Sequence, residues 1–169
     1  MANPHVLLTT ALGEILIELF AEQAPKTVEN FLAYVDDGFY DGLIFHRVIA
    51  NFMIQGGGMN MRMQEKETRA PVENEAKPEV KNLRGTVAMA RTSDPHSATA
   101  QFFINVVDNP FLDFKEPTVQ GYGYAVFGRV VEGLETVDTI RKVRTRNVGP
   151  HGDVPVDPIT IITAARFEV

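Results

Sequence analysis

The chain has 169 residues, 44% of them hydrophobic and 22% charged, which suits one globular domain with a substantial core. Its net charge of −6 argues against a nucleic-acid binder, which carries a basic face, and the lack of cysteine excludes disulfides, thiolate catalysis and cysteine metal sites. The N-terminus MANPHVLLTT has no basic n-region and its apolar residues alternate with polar ones. The expectation is a soluble, cytoplasmic protein with neither signal peptide nor membrane span, monomeric, and a single domain over residues 1–169, since no linker, repeat or low-complexity tract interrupts it.

In VLLTTALGEILIELF, Glu14, Leu16 and Glu18 alternate with Ile15, Ile17 and Leu19, the period of a half-buried strand, and Gly13 between two such runs predicts an antiparallel hairpin. APKTVENFLAYVDDG follows as a helix: Val28, Phe31, Leu32 and Val35 form one stripe, Pro25 suits the first turn and Gly38 the stop. Residues 43–56 read as two strands broken near Ala50 and Asn51. Residues 57–82 read as a polar connection too charged to form core. GTVAMA, AQFFINVV and YAVFGRVV are strand-like, with a loop over 109–123. EGLETVDTIRKV places Leu134, Val137 and Ile140 at helical spacings, and ITIITAARFEV closes the chain as a strand. The basic residues Arg141, Lys142, Arg144 and Arg146 read as a solvated helix end. Many strands, two helices and frequent turns predict a mainly β protein, a barrel or sandwich with two capping helices.

Arg47 raises the functional question. It lies among apolar residues in FHRVIANFMIQGGG, so it either faces water from an ordinary strand or is aimed into an apolar site where its charge acts. The glycines at 56–58 are followed by MNMRM, without a helix start or GK[ST], so they read as a sharp turn and not a phosphate loop. None of His5, His46, His96 and His151 has metal-ligand spacing, and neither serine lies in a nucleophile elbow. Met59, Met61 and Met63 read either as loop packing or as an adaptable binding strip. On AQFFINV, Gln101, Phe103 and Asn105 share one face, and Met53 and Gln55 share one on FMIQ. A glutamine on each of two apolar strands needs partners, and amides beside aromatics suit an extended peptide backbone.

FHRVIANFMIQGGG, GTVAMAR, SATAQFFINV and YAVFGRVVEG, in this order and with these separations, resemble the cyclophilins, the peptidyl-prolyl cis-trans isomerases, and are most similar to the small cytosolic bacterial type. The resemblance spans nearly the whole chain. It implies a closed, eight-stranded antiparallel β-barrel capped by two α-helices. It also implies an enzyme that needs no cofactor or metal and acts on proline-containing peptides and on unfolded or folding proteins. By matched position, Arg47 is the implied catalytic donor, and Phe52, Met53, Phe103 and Leu112 the cup for the proline ring. Gln55 would contact the carbonyl before the proline, backbone groups near Ala90 and Arg91 would pair with the substrate, and Gln101 would border the next subsite. Phe52 can reach the cup only if its strand is irregular, since strict alternation puts it opposite Met53. Phe111 stands where many members carry tryptophan, which implies weak cyclosporin binding. Tyr124 replaces a pocket-edge histidine, and Arg91 an asparagine, a mild change if only the backbone is used. Two further readings stand beside this one: a non-catalytic module that binds proline segments on the same barrel, and a lipocalin-like carrier.

Overall fold

In the computed structural model, which describes residues 3–169, the first alternating run becomes the hairpin of β1 (His5–Thr10) and β2 (Gly13–Leu19), with Ile15, Ile17 and Leu19 wholly buried. The helix α1 (Pro25–Asp36) buries the expected stripe, and Gly38, at φ 68°, ends it. Its N-terminus has no cap of its own. Glu75 supplies one from the distant polar connection, its carboxylate accepting from the Thr27 amide at 2.6 Å and the Lys26 amide at 3.3 Å. A negative charge at the positive end of the helix satisfies orphan donors there and fastens the connection down.

The remaining strands are β3 (Arg47–Ile49), β4 (Met53–Gly56), β5 (Thr86–Met89), β6 (Phe102–Asn105), β7 (Val126–Glu132), β8 (Thr145–Val148), β9 (His151–Pro155) and β10 (Ile161–Phe167), with α2 (Leu134–Arg141) between β7 and β8. Eight of the ten strands form one antiparallel sheet in the order β10-β1-β2-β7-β5-β6-β4-β3, bent by register shifts in the β2–β7 and β5–β7 pairs. Its concave face holds the core, where Phe31, Tyr40, Phe45 and Phe102 meet in tilted and edge-on pairs.

Three expectations need correction. The sheet does not close: β10 and β3 remain its edges, joined only by single links such as the Ile44–Thr160 bridge and the Phe45 amide to the Ile159 carbonyl at 3.0 Å. The backbone bonds across the gap are confined to residues 42–45 and 159–161, ahead of β3, which is only three residues long and pairs with β4 alone. Second, the basic cluster is not one helix end. Arg141 closes α2 and is tied to Asp138 at 3.2 Å, whereas Arg146 lies in β8 of a separate β8–β9 hairpin beside β3. Third, the polar connection is not all surface: Met59, Asn74 and Asn82 are buried, while Met61 is exposed, so the three methionines form no shared strip.

Candidate functional site

Side chains alternate across the sheet, and the two parities have different fates. Val48, Ile54, Ile104 and Val87 lie opposite one another and join the core. The other parity puts Arg47, Gln55, Phe103, Ala88 and Val126 in one row across five strands, with Ile49, Met53 and Asn105 in the next. On this outer face Met53, Ala88, Phe103, Leu112 and Val126 form a second apolar cluster, separate from the core, ringed by half-buried Phe52, Ala90 and Tyr124.

Arg47 stands at the solvent-exposed end of the row, directly across from Gln55, and takes part in none of the ion pairs among the described residues. Its charge is therefore neither submerged nor neutralised; it sits at the rim of an apolar hollow. Phe52 lies in the turn between β3 and β4 and not in a strand, its amide bonded to the Ile49 carbonyl at 3.0 Å. That turn supplies the irregularity its placement required. Its ring packs 5.6 Å from Phe111, which is 62% exposed and stands outside the cup, while Leu112, in the short 3-10 turn Pro110–Leu112, is buried in it.

The two glutamines partner each other, Gln55 Nε2 donating to Gln101 Oε1 at 2.9 Å. The triple glycine makes this arrangement sterically available. A Cβ on Gly58 would sit 2.4 Å from the Gln101 carboxamide, and one on Gly57, at φ 86°, would reach 2.8 Å from the Tyr40 ring. Beside the glutamines, Ala90, Arg91, Thr92, Ser97 and Thr99 complete a cleft of about 160 Å³. Of the residues expected at the site, Arg47, Met53, Gln55 and Phe103 share one face of the sheet, Phe52, Ala90, Leu112 and Tyr124 pack against it, Arg91 and Gln101 line the adjoining cleft, and Phe111 lies exposed at its edge.

Sequence reasoning missed the struts beneath. Asn82, 1% exposed, donates its amide nitrogen to the Leu112 carbonyl at 3.1 Å and its backbone N–H to the Asp113 carboxylate at 2.7 Å. Its side-chain oxygen accepts from Asn105 Nδ2 at 3.1 Å. Asn109 donates to Asn105 Oδ1 at 2.8 Å and to the Phe52 carbonyl at 2.9 Å. This buried amide network pins the 109–124 loop over β4 and β6. The signal was present in Asn105, which shares a face with Gln101 and Phe103 and calls for partners in the same way.

His46, next to Arg47, is 6% exposed and its Nδ1 has no partner. Burial, followed by the nearby His151 and Arg47, lowers its pKa from 6.5 to about 4. The unfolded chain therefore binds a proton between pH 6.5 and 4 that the folded chain refuses. The stability from neutral His46 is complete above pH 6.5 and lost as pH falls towards 4, by up to about 3 kcal/mol. Denaturant titrations from pH 7 to 4 are expected to show this acid loss, and His46→Gln to flatten it; an unchanged slope in the variant would refute the assignment.

Among the described residues no three His, Asp or Glu side chains gather as a metal cluster, and no helix is long and apolar enough to cross a membrane. The family model described as cyclophilin type peptidyl-prolyl cis-trans isomerase/CLD matches residues 5–166. The chain belongs to the cyclophilins. It is thus an enzyme of the isomerase class, a peptidyl-prolyl cis-trans isomerase. This cyclophilin is 60% identical over 159 residues to peptidyl-prolyl cis-trans isomerase cyp18 of Streptomyces antibioticus, covering 94% of this chain and 96% of that one. It is 56% identical over 149 residues to peptidyl-prolyl cis-trans isomerase B of Escherichia coli, covering 88% and 91%. Among solved structures, it is similar to a cyclophilin type peptidyl-prolyl cis-trans isomerase of Cryptosporidium parvum crystallised in the presence of the dipeptide Ala-Pro. The TM-score there is 0.80 at 30% identity, over 98% of this chain and 99% of that one.

Proposed function

We propose that this cyclophilin speeds rotation about X–Pro bonds in peptides and folding proteins by stabilising the twisted amide with Arg47. The observation that carries the reading is the row Arg47, Gln55, Phe103 on three neighbouring strands. It sets an unpaired cation, an amide and an aromatic floor side by side within two strand spacings, about 10 Å. An X–Pro bond rotates slowly because of its partial double-bond character, with a barrier of about 20 kcal/mol. Midway through the turn the proline nitrogen leaves conjugation and regains a lone pair. A guanidinium N–H pointing at it makes a bond that the planar ground state accepts poorly. No covalent bond is made or broken, so side chains alone suffice.

Phe52, Met53, Phe103 and Leu112 hold the proline ring. Gln55, steadied by Gln101, takes the preceding carbonyl. Backbone groups at Ala90 and Arg91 align the chain, and Tyr124 walls the cup. A rate gain of about a hundred-thousandfold asks about 7 kcal/mol of these contacts together. The test is an isomerisation assay on proline peptides with the intact chain. Catalysis at submicromolar enzyme supports the reading, and peptide binding without turnover would favour the non-catalytic module instead.

The same reading treats residues 1–169 as one domain, monomeric and cytoplasmic, with proline-containing peptides and unfolded or folding proteins as partners. It gives weak cyclosporin binding, since Phe111 has no indole N–H to donate. Phe111→Trp is expected to tighten cyclosporin binding by about tenfold, the worth of one good hydrogen bond. A fluorescence titration with no change would place residue 111 away from that ligand.

A further inference from the structure

We infer that Arg91 is a positioning residue for the proline cup and acts through the ring of Tyr124. The guanidinium forks onto one carbonyl: Nε and Nη2 donate to the Gly123 oxygen at 3.1 and 2.9 Å, while Nη1 donates to the Thr92 oxygen at 2.9 Å. The same flat group lies over the Tyr124 ring, 4.3 Å from its centroid. Tyr124 in turn meets Phe103 edge-on at 5.8 Å, and Phe103 is a buried member of the cup. No carboxylate pairs with Arg91 among the described residues, so its interactions are spent on the loop.

The chemistry favours arginine at this position. Its planar fork can bond a carbonyl through two N–H groups while its face covers an aromatic ring. Lysine supplies a charge without the fork, and asparagine is too short to do both. The loop itself has a second anchor, because Asn74 Nδ2 also donates to the Gly123 oxygen at 3.1 Å. Gly123 is held tightly from behind as well: at φ 72°, a Cβ there would come within 2.6 Å of the Leu112 oxygen. Losing Arg91 therefore leaves the loop seated and frees the ring. The cup grips the proline ring less firmly, while Arg47 at the far end of the row is untouched.

This inference rests on the isomerase reading, and its test separates the two. NMR exchange measurements on a proline peptide give KM and kcat for the wild type, Arg91→Asn, Arg91→Lys, Tyr124→Ala and the double variant Arg91→Asn/Tyr124→Ala. Arg91→Asn is expected to raise KM by about fivefold while kcat falls less than twofold, with Arg91→Lys recovering less than half of the loss. In the Tyr124→Ala background Arg91→Asn should have no further effect. An unchanged KM, full recovery by lysine, or the same fivefold penalty in the Tyr124→Ala background would overturn the assignment. Absence of turnover in the wild type would instead sink the isomerase reading itself.

Discussion

Replacing Arg47 by alanine is expected to lower kcat for proline-peptide isomerisation by about a hundredfold to a thousandfold, as loss of a single preorganised transition-state donor does elsewhere. Peptide affinity should fall by less than about threefold, because the cup of Met53, Phe103 and Leu112 and the glutamine pair stay intact. Stability should hardly move: Arg47 is exposed and unpaired, and exposed substitutions away from special features shift stability by about 0.5 kcal/mol or less. Arg47→Lys should recover only part of the rate, since a hydrated point charge lacks the rigid fork. Line-shape analysis or a protease-coupled assay on matched wild type and variant decides the matter. Equal turnover would remove Arg47 from the mechanism.

The second large effect is structural. Asn82→Ala is expected to cost about 3 kcal/mol, the upper range for stripping partners from buried polar groups. It leaves the Leu112 carbonyl, the Asp113 carboxylate and Asn105 with fewer partners inside the protein. The 109–124 loop should loosen with it, so Leu112 and Tyr124 leave the cup and KM rises together with the loss of stability. Denaturant unfolding and amide hydrogen exchange across that loop measure both effects. A variant within about 0.5 kcal/mol of wild type would mean that water replaces the asparagine at little cost.

These two residues also mark what the sequence discloses. Arg47 stood out in the sequence as a charge among apolar residues, and only the resemblance to the cyclophilins gave it a role; the register that sets it opposite Gln55 runs across a turn, beyond what alternation within one strand reports. The first hairpin and β5 to β7 were legible as strand-like apolar runs, and both helices from apolar residues three and four positions apart. Asn82 was not. It ends a charged stretch, and its partners at 105, 112, 113 and 124 become neighbours only after the chain has folded. The β8–β9 hairpin escaped notice because TRNVGPHGDVP is mostly exposed and lacks an apolar period. The closed barrel came from the resemblance; the hydrophobic pattern left barrel or sandwich open, because it reports which face is buried and is silent on whether two edges meet.

The division of the sheet into two apolar sides has an evolutionary corollary. Val48, Ile54 and Ile104 secure the strands from beneath, so the half-buried and exposed residues at the rim of the hollow can be exchanged without disturbing what holds the molecule together. Substrate preference can then drift by changes at Phe52, Phe111 or Tyr124 at small thermodynamic risk, as it could not if the hollow were carved out of the interior.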